Sequence, residues 1–562
     1  MRQAGLDIFE MNLGFEELLL LASIVVPTAV SLCLFTGVVT SDEAAKKLAY
    51  VGFGVPFVAG VLLFLWFEGA VGADYKYEVL FDRTGLQELG ITFHLGLNGV
   101  SSPLFAMAGF VGLAAGLAAI HSGAERIRLY LALLSLMQAG LMGFFASVDL
   151  FFYFLFHEFA LVPTFIMIGL WGGRDRRSVA LEVTIYLTLG ALVVLGGLVA
   201  LNVMGDAEKF DFPTLINLLS TIPLGESAQF KIFGLLLLGF GILVALFPFH
   251  TWAPRAYSAA PTSVSMLHAG VLKKFGLYGL VQVAVPLLPS GAAQWSDFLI
   301  WLALGNVLFV GFVTMAQNNL KSMVGYGSVM HMGYCFLGVA TCSALGAGSV
   351  VMLMAAHGLS VALMFLVGTF VFRRCGTFEM DEMGGLATKT PVLACIFVAA
   401  ALATIGLPGF GNFWGEFGIF MSLGEDPGTR FALGLAALGI IISAIFGLRA
   451  VAKVFFGEQT EQFAEFEKEN PVKDLSLLEL LPAGLLVAAL LLLGLWPRTI
   501  SDRVNGEIGI RYQAFESVEP GGLPACCALD ADEPEVKEAV DTNGTSAEAT
   551  DESSKPKEGD HD

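Results

Sequence analysis

Fourteen runs of about twenty mostly apolar residues recur along this chain. They begin near Leu18, Leu48, Gly99, Leu129, Phe151, Leu181, Lys231, Ala260, Phe298, Met323, Ser349, Val392, Phe431 and Leu477. Each is long enough to cross the ~30 Å hydrocarbon layer as a helix. A helix satisfies its own backbone donors and acceptors where no water can. The pattern predicts an all-α polytopic membrane protein with about 14 transmembrane helices, numbered here as spans 1 to 14. Composition agrees: of 562 residues, 56% are hydrophobic and 14% charged, against about 25% charged in soluble domains. A soluble enzyme, a disordered chain and a disulfide scaffold are excluded. Asp7, Glu10, Glu16 and Glu17 precede span 1 and no small-residue cleavage site follows it, which argues against a cleaved signal peptide.

Charge is distributed unevenly. The loops after odd spans hold sixteen basic residues, among them Lys46, Lys47, Arg126, Arg174, Arg255, Arg373, Arg374 and Lys453, whereas the loops after even spans hold five. The positive-inside rule then puts both termini on the outer side. Of the formal net charge of -20, the stretch from Asp530 to Asp562 supplies twelve acidic and three basic residues. Such a balance argues against nucleic-acid binding. The seven cysteines show no metal-ligand spacing, and neither a metal nor a cofactor is expected in this chain.

The organisation expected from these patterns is residues 1–97 as spans 1 and 2 with an outer loop, 98–290 as a first repeat, and 291–456 as a second. Residues 457–500 form an inner loop and span 14, and 501–562 an acidic disordered tail. Residues 68–94 read as short strands or a hairpin, 205–229 as a polar loop with a short amphipathic helix. Phe463 and Phe466 are expected to dock the charged 457–474 segment. Span 7 ends in LVALFPFHTWAP and span 12 contains ATIGLPGFGNFWGEF. Proline and glycine at these places predict discontinuous helices near mid-membrane. Two breaks five spans apart suggest two five-helix repeats, spans 4–8 and 9–13. Their odd length makes them inverted, a transporter arrangement with ion sites beside the breaks.

Ionisable residues within the spans are the candidate site, because a charge at the bilayer centre costs at least ~2.5–3.5 kcal/mol. Glu158 lies within span 5, Lys273 and Lys274 within span 8, and Glu416 just after the span-12 break. Adjacent helical residues point about 100° apart, so the two lysines cannot share one channel. His157, His250, His268, His331 and His357 lie within or at the edges of spans, where imidazole can relay protons along a water chain.

These segments resemble the antiporter-like subunits of complex I, over roughly Asn98 to Leu495. FHEFALVPTFIMIGLWGG carries Glu158; FPFHTWAPRAYSAAPTSVSMLHAGVLKKFGLYGL aligns the family lysine with Lys274; NNLKSMVGYGSVMHMGY and AAHGLS carry His331 and His357; IGLPGFGNFWGEF carries Glu416. The glutamate in the last segment is similar to that of the chain M (subunit 4) branch, where sister subunits and the Mrp D subunit have lysine. The resemblance implies a proton-translocating membrane-arm subunit of NADH:quinone oxidoreductase in a bacterial inner membrane, coupled to quinone reduction in partner subunits. In it Lys274 is the central relay, Glu416 passes the proton outward, and His331 and His357 support the water chain. The alternative is a cation/proton antiporter subunit of an Mrp-like or hydrogenase-linked complex.

One departure stands out. Where the family carries a span-7 lysine, seven residues before His250, this chain has Leu243. Three outcomes are open for Glu158: protonated and inert, paired with Lys273 or His157, or served by Lys231, which lies about 18 Å along the helix from position 243. A re-routed or weakened inlet with an intact exit half is the expectation. Asn319 also replaces a usual aspartate before span 10.

Overall fold

The computed structural model describes residues 13–68, 75–81 and 85–513. It is mostly helical. Among the described residues eleven helices are long and apolar enough to cross a membrane: Phe15–Phe35, Asp42–Trp66, Ser101–Ile120, Ile127–Ala146, Leu150–Trp171, Arg176–Met204, Glu226–Val244, Pro289–Ala316, Ala344–Cys375, Arg430–Phe455 and Leu477–Leu495. They coincide with spans 1–7, 9, 11, 13 and 14. Span 10 is the helix Leu320–Ala340. Span 8 runs over 262–287 with two π-helical segments, His268–Leu272 and Leu280–Ala284. Span 12 is split into Pro391–Ile405 and Gly411–Glu425.

Helix starts follow local chemistry. Ser41, Asp149, Asn319 and Ser343 each cap the first turn with a side-chain acceptor. Asn319 accepts from Ser322 N at 3.1 Å, as an aspartate would, and its amide also donates to Glu379 at 2.8 Å. The outer loop between spans 2 and 3 is an antiparallel hairpin, Lys76–Phe81 with Phe93–Leu97. The 205–229 loop carries the helix Phe212–Thr221, and Glu461–Glu469 docks through the buried Phe463.

Both predicted interruptions are present. The span-7 helix ends at Ala245, which is left-handed with φ 69°, and the chain resumes as the helix Trp252–Ala259. The span-12 helix ends at Gly406, φ 82°, and Gly411 restarts it.

The boundary of the tail needs correction. Residues 501–511, assigned from sequence to a disordered tail, belong to the helix Arg498–Arg511. Ile500, Val504 and Ile508 recur every four residues and are buried, a stripe masked by the charged residues between them. The Phe15 ring lies 6.1 Å from Trp66, and Arg503 donates to the neighbouring Phe67 carbonyl at 3.2 Å. The start of span 1 and the last described helix therefore share one face of the bundle. The acidic stretch and Cys526–Cys527 lie outside the described residues.

Candidate functional site

The π-helical turn at His268–Leu272 sets the phase of span 8, so that the amide of Lys273 bonds to the His268 carbonyl, five residues back. Such bulges recur at functional sites because they re-aim side chains. Lys273 and Lys274 diverge, as their adjacency requires. Lys274 is fully buried and donates to the Ala269 carbonyl at 2.7 Å and to His357 Nδ1, on span 11, at 2.9 Å. Lys273, 1% exposed, turns to span 10, donating to the Ser328 carbonyl at 3.3 Å, with the Tyr257 ring 5.5 Å away.

From His357 the polar line continues. The His331 ring lies 5.8 Å from that of His357, and His331 Nδ1 lies 3.3 Å from Glu416 Oε1. Lys274, His357, His331 and Glu416 thus form one buried row across spans 8, 11, 10 and 12. A cavity of about 20 Å³ lined by Ser328, His357, Thr404 and Ile405 adjoins it at the span-12 break, room for roughly one water.

Glycine makes the break possible for two reasons. Gly406 adopts a positive φ, and a Cβ there would run into Glu416 Oε2. Beyond it, Gly415 and Gly418 face Leu353 and Ser349 so closely that the helix carrying Glu416 presses directly on span 11. Asn412 fastens the restart by donating to Ser360 Oγ at 3.2 Å.

At the span-7 break the freed backbone is met by Asn306, from a π-helical stretch of span 9. Its side chain accepts from Phe247 N at 2.6 Å and donates to the Ala245 and Val329 carbonyls at 3.0 Å each. Sequence reading passed over Asn306 because a neutral amide in an apolar run carries no charge signal. Ser328 was passed over for the same reason.

Besides Lys273, two predicted site residues, His250 and Glu158, stand apart from the row. His250 sits at the span-7 break, its ring stacked on Phe247 at 5.6 Å. Glu158 has a side chain 29% exposed and meets His157 Nδ1 at 3.3 Å. Of the pairings open for Glu158, His157 is the partner present; Lys273 faces Ser328, and Lys231 is exposed. Leu243 is buried against Gly190 in the apolar core. The His157 ring in turn packs on Phe275, beside Lys274, with centroids 3.9 Å apart.

Known proteins share this frame. The family model described as NADH:quinone oxidoreductase/Mrp antiporter, TM, matches residues 147–443. NADH-quinone oxidoreductase subunit M of Rickettsia bellii (strain RML369-C) is 31% identical over 445 residues, covering 79% of this chain and 87% of that one. A chain of respiratory complex I from Thermus thermophilus superposes with TM-score 0.77 at 28% identity, covering 88% of this chain and 99% of that chain. A chain of the Mrp complex from Dietzia sp. DQ12-45-1b gives TM-score 0.76 at 19% identity, covering 88% and 97%, a likeness of fold. The chain belongs to the NADH:quinone oxidoreductase/Mrp antiporter family of transmembrane subunits.

Proposed function

We propose that this chain is a proton-translocating, non-redox subunit of the membrane arm of an NADH:quinone oxidoreductase. It holds no cofactor of its own and works beside sister antiporter-like subunits. In this reading fourteen spans cross a bacterial inner membrane, both termini lie outside, and spans 4–8 and 9–13 are inverted repeats. The observation that carries it is the buried row Lys274–His357–His331–Glu416, in which Lys274 bonds to His357 and the unpartnered His331 ring stands between His357 and Glu416.

The row is suited to moving one proton at a time. The Lys274 ammonium donates to His357, so a shift of the shared proton leaves a neutral amine and an imidazolium, with total charge unchanged. His331 passes the charge on, and Glu416 receives it beside the freed backbone of the span-12 break. Imidazole, with an ordinary pKa of about 6.5, exchanges protons readily near neutrality. Since Leu243 cannot carry a proton, on the inlet side this reading gives the proton-accepting role to Lys273. Around it lie His268, stacked on Trp252 at 5.5 Å, and His250, each with a buried Nδ1 that makes no hydrogen bond to the protein. Such atoms call for water, and waters there would link the span-7 break to Lys273.

Lys274→Met in the whole complex, reconstituted in vesicles, tests the proposal. Electron transfer from NADH to quinone should continue while proton release per electron pair falls. Unchanged release in an assembled complex overturns it. Sodium movement that follows the same substitution would favour the Mrp-like antiporter reading.

A further inference from the structure

Span 8 continues outward past Lys274 with buried polar residues at four-residue spacing: Lys274, Tyr278, Gln282. Successive residues at that spacing share one helix face. Their Cα atoms climb about 1.5 Å per residue, so Gln282 lies roughly 12 Å nearer the outer surface than Lys274. The Tyr278 hydroxyl has the Ser101 side chain beside it, and Gln282 Oε1 makes no hydrogen bond to the protein. Nor do Asn98 Nδ2 and Ser102 Oγ, fully buried at the outer start of span 3. Three unpartnered polar atoms gathered beside Tyr278 at one end of an apolar bundle mark a place that water fills.

The row ends on a charge pair supplied by the helix Arg498–Arg511. Arg511 Nε donates to Glu507 Oε1 at 2.5 Å, with side chains 3% and 1% exposed. Gln282 donates to the Tyr75 hydroxyl at 3.1 Å, and the Arg511 guanidinium lies against that hydroxyl. Tyr278 lies within electrostatic reach of Tyr75, Arg511 and Glu507. Tyr512 fixes the helix end by donating to the Val281 carbonyl at 3.1 Å. Gly99 lets the helix close: a Cβ there would strike the Arg503 carbonyl and come within 2.9 Å of Glu507 Cβ. A buried charge pair is costly unless its surroundings satisfy it, so its presence beside a polar row asks for a role.

We propose that this cluster is a proton outlet at the outer end of span 8, with Glu507 as the releasing group and Arg511 as its clamp. It rests on the reading of Lys274 as a proton relay. The ammonium of Lys274 loses one proton and returns to the amine. Waters held by Tyr278, Gln282 and Tyr75 pass a proton to the Glu507 carboxylate. Protonation weakens the pairing with Arg511, and the carboxyl then releases its proton to the outer aqueous phase, restoring the pair. The lateral row to Glu416 and this outward row both begin at Lys274, so the lysine is a branch point.

Glu507→Gln, Glu507→Asp and Tyr278→Phe in the reconstituted complex test the outlet, alongside Lys274→Met. Glu507→Gln and Tyr278→Phe should remove at least half of the proton release that Lys274→Met removes, with NADH oxidation and assembly retained. Glu507→Asp should restore it. Wild-type release in the Glu507→Gln complex overturns the outlet while leaving the relay intact. A raised passive proton leak in that variant, with coupled release otherwise unchanged, also overturns it, since the helix would then be a seal. If Lys274→Met itself leaves release unchanged, the relay fails instead.

Discussion

Glu416 and Glu158 are both carboxylates inside apolar helices, yet their surroundings differ. Glu416 is 4% exposed, lies in the notch left by Gly406, and continues through His331 and His357 to Lys274. Glu158 keeps 29% of its side chain exposed and meets His157 alone among the described residues' charged partners. The helix break accounts for much of the difference. Breaking span 12 lets a carboxylate approach freed backbone and other helices, whereas the Glu158 helix is continuous from Leu150 to Trp171. A carboxylate on an unbroken helix, with His157 as its charged partner among the described residues, has little to exchange a proton with.

The contrast predicts unequal consequences. Glu416→Gln should remove up to half of the proton release per electron pair that Lys274→Met removes, the share carried by the lateral row, because a carboxamide cannot carry the proton onward. Glu158→Gln should cost less than half as much. Equal losses in assembled complexes, measured as vesicle acidification against NADH oxidation, would break the comparison and put Glu158 back on the path.

The breaks themselves are held differently, which gives the next largest effect. Asn306 ties two backbone groups of the span-7 break and the Val329 carbonyl of span 10, whereas Asn412 makes one side-chain bond at the span-12 break. Leaving a buried polar group unsatisfied costs about 1–3 kcal/mol. Asn306→Leu should therefore lower thermal stability in detergent by about 3 kcal/mol or more, and Asn412→Leu by about 1 kcal/mol. A reversed order would show that the span-12 break depends on its bond to Ser360 more than on glycine packing.

These differences explain what the sequence made legible. Charge inside an apolar run is visible at once, so Glu158, Lys273, Lys274 and Glu416 stood out, and the 100° divergence of the two lysines followed from helix geometry alone. Proline and glycine made both interruptions visible. What stayed hidden was neutral or remote. Asn306 lies 59 residues from the amide it accepts from, and no periodicity reports such a pairing. Tyr278 and Gln282 are unremarkable in an apolar helix until Tyr75 and the helix Arg498–Arg511 are seen to close over them. That helix read as tail because its apolar stripe is three residues wide among charges.

A third acid sharpens the contrast at its weaker end. Asp149 caps the helix that carries Glu158, accepting from Phe151 N at 2.8 Å, Phe152 N at 3.2 Å and Thr92 N at 3.1 Å. Burial is the strongest influence on it and lifts its carboxyl to about 6 despite those three bonds. An unfolded aspartate titrates near 3.9. The folded chain therefore holds this proton more tightly than the unfolded chain, so the contribution to stability is fully present below about pH 4 and is lost as pH rises to about 6. Above that, the ionised carboxylate is a cost. Asp149→Asn keeps the capping oxygen and removes the ionisation. At pH 8 it should raise stability by on the order of 2 kcal/mol, and at pH 4 the two proteins should melt together. An asparagine variant that is less stable at pH 8 would show that the negative charge strengthens the cap enough to outweigh its burial.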